Sequence, residues 1–343
     1  MKKFLAILFV LIMALSVFSV ASAEEKKELD IRGLIWKYDD TYGSTVRAAM
    51  EKYAKEIGDE LGLTVKLTMY DAADDMAKQV EQATALVGEK PDFVIINLAE
   101  VASGQQLVDM FKGAGIPFLF YNKEPSAETV QSVVVDSGSI FIGTTPREAG
   151  DMQGEILADM YKADPSIDKN GDGVLQYIMF MGEPNNPEAI ARSQYSVETA
   201  IANGLKMEQL GQTLVCNWDQ TQALDAMTST WASFGDKIEV VFANNDMMAM
   251  GAVAALQQVG YNTGIDGDPQ VVVIGVDAVD SALESIKDGG MTATVQQDGD
   301  AMGKANIRIA INGALGKAWL DGTDYQLSGD NYSVRIPYAK ITE

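Results

Sequence analysis

Short apolar runs alternate with amphipathic stretches of helical period along almost the whole chain. The apolar runs are continuous rather than alternating, which is typical of parallel strands buried on both faces. They cover residues 31–36, 65–70, 93–96, 117–121, 177–181, 239–243, 271–276 and 293–296. The helix-period stretches between them include residues 44–61, 74–87, 146–161, 188–203 and 247–259. This order predicts an α/β fold of open, doubly wound parallel sheets, because right-handed crossovers place helices on both faces of each sheet.

Polar and aromatic side chains follow most of these predicted strands. Ligands of open α/β sheets bind beyond the carboxyl ends of the strands, so these positions are candidate binding residues. They are residues 37–40, Asn97, residues 122–124, residues 244–246, Asp277 and residues 297–298. Helix capping is the alternative interpretation, since Asp and Asn are favoured N-caps, and we expect it to hold for a good half of them.

The first 23 residues have the pattern of an export signal. A basic start at Lys2 and Lys3 precedes an apolar run over residues 4–15, and Ala21-Ser22-Ala23 forms a small-residue cleavage site. The run is too short for a membrane span, which needs about 20 residues. A buried N-terminal helix is the alternative. We expect cleavage near Ala23 and release of a free protein, because no cysteine lies at the cleavage point.

Composition narrows the classes of function. The remaining chain is longer than one hydrophobic core usually supports, which favours two domains. A net charge of −23 disfavours nucleic acid and anionic membrane surfaces as partners. The chain contains no histidine, the commonest general base, and its one cysteine, Cys216, permits no internal disulfide. We interpret Cys216 as a buried, small apolar residue.

Residues 168–176 have the spacing of an EF-hand-type calcium loop. Side-chain oxygens at loop positions 1, 3, 5 and 9 come from Asp168, Asn170, Asp172 and Gln176. Gly173 occupies the tight turn at position 6, and Val174 would add its carbonyl oxygen at position 7. Position 12, normally a bidentate Glu, is Met179. Either the loop is a solvated turn, or a carboxylate reaches it from elsewhere in the fold.

Signatures of catalysis are missing from the sequence. It has no G-x-S-x-G, no Walker loop, no C-x-x-C and no G-x-G-x-x-G. Aromatic residues such as Trp36, Tyr42 and Trp218 stand near the predicted strand ends. Flat aromatic faces with amides, carboxylates and Arg at the rim suit a sugar, which has apolar C–H faces and hydroxyl edges. Burial of each aromatic in the core is the alternative.

Several segments, in order and at comparable spacing, resemble the periplasmic glucose/galactose-binding proteins of ABC importers. They are WKYDD at 36–40, INL at 96–98, YNKEPS at 121–126, the loop at 168–176, GEP at 182–184, WD at 218–219, IEVVFANNDMMAM at 238–250 and GVDA at 275–278. The resemblance covers residues 31 to 338. It implies the periplasmic binding protein type I fold, with two doubly wound lobes joined by a three-segment hinge.

The resemblance also implies where the chain passes between the lobes. Crossings are expected near residues 121–123, 296–298 and 321–326. The N-terminal lobe would then hold residues 24–121 plus 298–322. The C-terminal lobe, which contains the calcium loop, would hold residues 122–297 plus 323–343.

Site residues follow from the same resemblance. The implied sugar-binding set is Trp36, Asp40, Tyr42, Asn97, Asn186, Glu188, Arg192, Trp218, Asn245, Asp277 and Gln297. Tyr42 and Trp218 match the positions that hold the sugar ring between two aromatic faces. The implied ligands of a structural Ca²⁺ are Asp168, Asn170, Asp172, the Val174 carbonyl, Gln176 and Glu239, so that Glu239 supplies the missing carboxylate.

Five of these positions depart from the family pattern. Asn186 replaces a His, Glu188 an Asp, Gln297 an Asn, Trp36 a Tyr and Tyr42 a Phe. The replacements are chemically similar, but a pocket that hydrogen-bonds hydroxyls discriminates strongly against an unmatched one. The choice among D-glucose, D-galactose and a related hexose is therefore open.

The expected function is capture of a monosaccharide in the periplasm and its delivery to an ABC permease by a monomeric protein that is not an enzyme. The resemblance also raises docking on a chemotaxis receptor. The alternatives are a protein of the same fold with a different monosaccharide ligand, and a secreted carbohydrate-active enzyme. A sugar-responsive repressor would need an N-terminal DNA-binding helix pair, where this chain has its export signal.

Overall fold

The structure, a computed structural model, describes residues 27–130 and 139–342. The predicted export signal at residues 1–23 lies outside these residues. Within the two described ranges, no helix has the length and apolarity required to cross a membrane.

The described strands fall into two separate sheets. In chain order they are β1 (Glu28–Ile35), β2 (Thr64–Asp71), β3 (Phe93–Ile96), β4 (Phe118–Tyr121), β5 (Phe141–Gly143), β6 (Leu175–Met181), β7 (Met207–Gln209), β8 (Leu214–Val215), β9 (Val240–Ala243), β10 (Val272–Asp277), β11 (Ala293–Gln297), β12 (Ser333–Arg335) and β13 (Tyr338–Ile341). The first sheet has the order β12-β5-β4-β3-β1-β2, and all of its strand pairs are parallel.

The second sheet has the order β13-β11-β10-β9-β6-β7, and β8 also pairs with β6. Its strand pairs are parallel except for β13, which runs antiparallel to β11 at the edge. Two open, essentially parallel sheets with a reversed strand order confirm the predicted α/β architecture.

Helices connect the strands. The described ones, in chain order, are α1 (Thr41–Leu61), α2 (Met76–Glu89), α3 (Gly104–Ala114), α4 (Pro146–Ala163), α5 (Pro187–Ala202), α6 (Gln220–Phe234), α7 (Asp246–Gln257), α8 (Asp280–Lys287) and α9 (Gly299–Ala314). Helices α1 and α9 pack against each other on the first sheet, whereas α4 and α5 pack together in the second lobe. Gly303 permits the close approach of α9 to α1, because a Cβ there would stand 2.4 Å from the Cβ of Ala49.

The lobe boundaries predicted near residues 121–123 and 321–326 are wrong. Strand β5 pairs with β4, and β12 pairs with β5, so both belong to the first sheet. The first crossing therefore lies after Gly143, where α4 and then β6 begin the second lobe, and the third lies between Arg335 and Tyr338. The error arises because β5 and β12 have three residues each, too few for a recognisable apolar run. The second crossing follows Gln297, between β11 of the second sheet and α9 of the first lobe.

Candidate functional site

A cavity lies between the two lobes at the carboxyl ends of both sheets. It holds about 420 Å³ of space, including its opening to solvent, which is within the range of small-molecule sites. Its lining residues are Trp36, Asp40, Tyr42, Asn122, Lys123, Asn186, Glu188, Arg192, Trp218, Asn245, Asp277 and Gln297. The first five come from the first lobe and the rest from the second, so the cavity exists only where both lobes meet.

The structure brings all but one of the predicted sugar-binding residues to this cavity. The exception is Asn97, which is buried behind the wall and donates from Nδ2 to Asn122 Oδ1 at 3.5 Å. Its backbone carbonyl accepts from Gln79 Nε2 at 2.8 Å. Asn122 reaches the cavity in its place, because it follows β4 with a positive φ of 62° that turns the chain sharply.

Three lining residues are also helix N-caps, so capping does not prevent a residue from lining the cavity. Asp40 Oδ1 accepts from the Gly43 amide at 2.5 Å at the start of α1. Asn186 and Asn245 cap α5 and α7 in the same way. Capping fixes one oxygen of each side chain and directs the helix N-termini, with their unpaired amides, toward the cavity. Each cap residue is thereby held rigidly at the cavity wall.

Arg192 is the buried cation at the centre of the wall. Its Nη1 donates to the Asn244 carbonyl at 2.6 Å, and its Nη2 donates to Tyr338 Oη at 2.7 Å and to Gln297 Oε1 at 3.1 Å. Glu188 Oε2 lies 3.4 Å from Nη2. Among the described residues, Arg192 Nε has no hydrogen-bond partner. A buried donor left unsatisfied is costly, so the guanidinium is held by its other nitrogens at some expense in free energy.

Burial alone would lower the pKa of Arg192, but the neighbouring Tyr338, Glu188 and Asp277 raise it overall. Burial raises the pKa of Asp277 well above its ordinary value, although Arg192 opposes the change. Burial likewise raises the pKa of Asp246, which lies behind the wall, to about 6. Asp246 accepts from Thr294 Oγ1 at 2.6 Å and from the Val279 amide at 3.0 Å. The second-lobe wall therefore combines one fixed cation with acidic groups that resist ionisation.

Aromatic residues enter the cavity from both lobes. Tyr42 is buried on the first-lobe side, and its hydroxyl is 3.4 Å from Met302 Sδ. Trp218 stands on the second-lobe side with a left-handed φ of 67°. Its indole ring covers Gly182, where a Cβ would stand 2.3 Å from the ring. Two apolar faces are thus available to the C–H surface of a ligand.

Lys123 joins the lobes at the cavity rim. Its Nζ is 2.8 Å from Glu183 Oε1 in the second lobe, 3.3 Å from the Ala99 carbonyl and 3.5 Å from the centre of the Trp36 ring. Burial lowers its pKa, while Glu183 acts in the opposite direction. The strand-end rule had named Asn122 and Lys123 as candidate binding residues, but the set implied by the resemblance leaves both out. Both stand directly after the fourth strand, the strand-end position that marks the other lining residues.

The loop at 168–176 lies in the second lobe, apart from the cavity. Buried Glu239 reaches it from the start of the β9 segment, as the resemblance implies. Its Oε1 accepts from the Lys169 amide at 2.6 Å and its Oε2 from the Gln176 amide at 3.0 Å. The carboxylate of Asp168 accepts from the amides of Gly171 and Gly173, both in the left-handed conformation.

The donor set of this loop is entirely oxygen, which suits calcium. Two side-chain amides bridge the loop: Asn170 Nδ2 donates to Gln176 Oε1 at 3.0 Å, and Gln176 Nε2 donates to Asp172 Oδ2 at 3.2 Å. If the side-chain amides of Asn170 and Gln176 rotated so that their oxygens pointed into the loop, a cation could replace the amide N–H groups there. Within residues 27–130 and 139–342, no three acidic, histidine or cysteine side chains converge as a metal cluster. The carboxylates of Asp168, Asp172 and Glu239 would therefore have to draw together around an ion.

Comparisons with known proteins place the chain among sugar-binding proteins. Residues 33–318 match the model of the periplasmic binding protein domain. The chain is 34% identical over 323 residues to the D-galactose/methyl-galactoside binding periplasmic protein MglB of Haemophilus influenzae, covering 94% of this chain and 92% of that protein. It is 29% identical over 281 residues to a putative rhizopine-binding protein of Rhizobium meliloti, covering 82% and 83% of the two chains.

Solved structures share the fold. An ABC transporter solute binding protein of Bacillus halodurans with bound myo-inositol has a TM-score of 0.73 at 24% identity, covering 94% of this chain and 96% of that one. A solute binding protein of Actinobacillus succinogenes with bound D-allose also has a TM-score of 0.73, at 18% identity, covering 92% and 98%. These neighbours confirm the two-lobed type I architecture.

Asp246→Asn tests the electrostatics of the second-lobe wall. Asp246 has a higher pKa in the folded protein than in the unfolded chain, so its protonation stabilises the fold. This contribution to the free energy of unfolding is complete below the ordinary carboxyl pKa and is lost as the pH rises through about 6. The wild type should therefore lose free energy of unfolding relative to Asp246→Asn between pH 4 and 7, by up to about 3 kcal/mol. Urea denaturation across this pH range measures the difference, and a constant difference would contradict the assignment.

Proposed function

Because the chain belongs to the periplasmic binding protein family, we propose that it captures a neutral hexose between its two lobes and delivers it to an ABC permease. Its family members are sugar-binding proteins of ABC importers, which confirms the prediction of a binding protein rather than an enzyme. One observation carries the proposal: both lobes contribute aromatic faces and hydrogen-bonding groups to a single cavity.

The chemistry of the wall matches a ring-shaped polyol. Sugar hydroxyls both donate and accept, so they can pair with the charged Arg192 donor and with the carboxyl groups of Asp40 and Asp277 in either protonation state. Hydrogen bonds to charged groups contribute about 1.5–3 kcal/mol each, against about 1 kcal/mol for neutral pairs. Tyr42 and Trp218 supply the apolar faces on which the C–H surface of the ring would stack.

D-galactose and D-glucose are the proposed ligands. Support comes from the name of the 34% identical relative and from the cavity wall, which retains a family-like set of polar groups. The longer side chains of Glu188 and Gln297 change the distances available to individual hydroxyls. A different monosaccharide or polyol is the second candidate, because other relatives are named for ribose and the structural neighbours hold inositol or allose.

Closure of the hinge is the proposed mechanism of capture. A ligand that contacts Asp40 in one lobe and Arg192 in the other binds the closed arrangement better than any open one, so it shifts the population toward closure. The Lys123–Glu183 pair would form at the same step, since its members belong to different lobes. The closed form would then present one composite surface to the permease.

Export to the periplasm, with cleavage near Ala23, belongs to the same proposal and is supported by relatives whose names describe periplasmic proteins. Action as a monomer and docking on a chemotaxis receptor remain proposals that rest on the family resemblance alone.

Asn122→Gly tests the proposed site and function together. Glycine keeps the positive φ of 62° without strain, so the variant removes only the side chain. Calorimetric titration of the wild type, without residues 1–23, against D-glucose, D-galactose, D-ribose and myo-inositol should give saturable binding of a hexose. Asn122→Gly should weaken that binding about 10-fold or more, since it removes a hydrogen-bonding group from the wall.

Asn97→Ala is the matched control. Asn97 is buried and does not line the cavity, so the variant should retain binding within about threefold of wild type, because its long 3.5 Å contact with Asn122 is weak. Absence of binding to every sugar in the panel would refute the proposed function. A larger loss for Asn97→Ala than for Asn122→Gly would refute the assignment of Asn122 to the site.

We also propose a structural Ca²⁺ held by Asp168, Asn170, Asp172, the Val174 carbonyl, Gln176 and Glu239. Support comes from the EF-hand spacing and from buried Glu239, whose two oxygens already contact both ends of the loop. The ion would fasten the loop to the β9 segment and stabilise the second lobe by binding only the folded state.

Removal of calcium should lower the melting temperature. At a free Ca²⁺ concentration 100 times the Kd, binding stabilises the fold by about 2.7 kcal/mol, which corresponds to roughly 5–10 °C for a lobe of this size. Calorimetric scans with CaCl₂ and with EGTA measure the shift. Glu239→Gln should abolish it, whereas Glu208→Gln, on an exposed position of β7, should retain it. An equal melting temperature in both buffers for the wild type would rule out the metal.

A further inference from the structure

All three chain crossings converge on one pair of side chains in the cavity wall, Glu188 and Arg192 of α5. Gln297, at the second crossing, accepts from Arg192 Nη2 at 3.1 Å. Tyr338, at the third crossing, accepts from the same Nη2 at 2.7 Å. Thr144, at the first crossing, donates from Oγ1 to Glu188 Oε1 at 2.6 Å.

Tyr338 occupies the centre of this network without lining the cavity. Its hydroxyl is 2.9 Å from Glu188 Oε2 and 3.0 Å from Thr144 Oγ1, in addition to its contact with Arg192. It has one proton to donate, and the Glu188 carboxylate is the stronger acceptor. Both oxygens of Glu188 therefore accept from hydroxyls of the hinge, one from Thr144 and one from Tyr338.

The surroundings of Tyr338 keep these contacts in place. The side chain is 5% exposed and packs in the core of the second lobe, and its residue pairs with Gln297 across the β11–β13 ladder. Burial raises the pKa of the Tyr338 phenol far above its ordinary value, so the hydroxyl stays neutral and both donates and accepts.

A second set of contacts extends the network along the hinge. Arg335, three residues before Tyr338, donates to the Thr144 carbonyl at 2.6 Å and forms two hydrogen bonds with the Glu124 carboxylate, at 2.8 and 2.9 Å. The Ile336 amide donates to the Gly143 carbonyl at 2.7 Å. The first and third crossings are thus hydrogen-bonded to each other, and Tyr338 carries these contacts on to Arg192.

We propose that Tyr338 is a positioning residue that couples the ligand-facing Glu188–Arg192 pair to the hinge. A ligand held by the Glu188–Arg192 pair at the cavity wall would fix the guanidinium, and through the Tyr338 hydroxyl it would fix the first and third crossings in the closed arrangement. This inference rests on the proposed function, because it requires a ligand held by Arg192.

Tyr338→Phe removes the hydroxyl and keeps the buried ring. Titration with the hexose that the wild type binds should give a Kd about 10-fold weaker, because the lost hydrogen bond is to a charged group. Thr144→Val should act in the same direction, and the double variant should lose less than the two single effects combined, since both residues serve one network. Tyr177→Phe is the matched control, because Tyr177 is a buried tyrosine of the same core whose hydroxyl contacts Gln209 instead.

Hydrogen exchange separates coupling from a general structural role. In the wild type, saturating hexose should slow amide exchange at residues 141–146, 297–299 and 334–340. In Tyr338→Phe at saturation, this protection should be lost at the first and last of these segments, while strands β9 and β10 exchange as in the wild type. The inference would be overturned if Tyr338→Phe bound hexose and protected its amides as the wild type does. It would also be overturned if the variant lost protection equally across β9 and β10. Either result would leave the proposed function intact. A wild type that binds no sugar would overturn both.

Discussion

The buried guanidinium of Arg192 is the interaction on which the arrangement of this molecule depends. A charge removed from water is tolerated only where partners surround it with good geometry. Arg192 finds those partners at the end of β9, at the second and third crossings and on its own helix. Through these contacts, Arg192 connects the hinge, the carboxyl ends of the second sheet and the wall of the cavity. Within the part of the chain that the structure describes, its Nε is the one guanidinium nitrogen without a hydrogen-bond partner, and the residue itself lines the space in which a ligand would lie.

Charge balance explains why this cavity suits a neutral polyol. Three acidic side chains, Asp40, Glu188 and Asp277, line the cavity. Its two cations are already engaged, since Arg192 lies 3.4 Å from Glu188 and Lys123 is paired with Glu183. An additional anion would meet like charges without a free cation to offset them, and burial would increase the cost. Hydroxyl groups add no charge and satisfy both donors and acceptors.

Much of this organisation was predictable from the sequence. Continuous apolar runs identified the central strands, and the rule that ligands bind beyond strand ends pointed to the polar residues that follow them. The three-residue strands β5 and β12 escaped detection, which displaced two of the predicted crossings. Asn97 and Asn122 both follow strands and look alike in sequence. In the structure Asn122 differs by its positive φ of 62°, and it is the amide that lines the cavity. The Tyr338 hydroxyl contacts a residue 194 positions away, and no local pattern reveals it.

Calorimetric titration of the protein, without residues 1–23, against a hexose and its uronic acid tests the central claim most directly. The two ligands share a ring and differ in the charge of one substituent, so the comparison isolates what the wall recognises. The account predicts saturable binding of D-glucose or D-galactose and no binding of the matching uronate at the same concentration. Binding of the uronate as tight as that of the neutral sugar would contradict it.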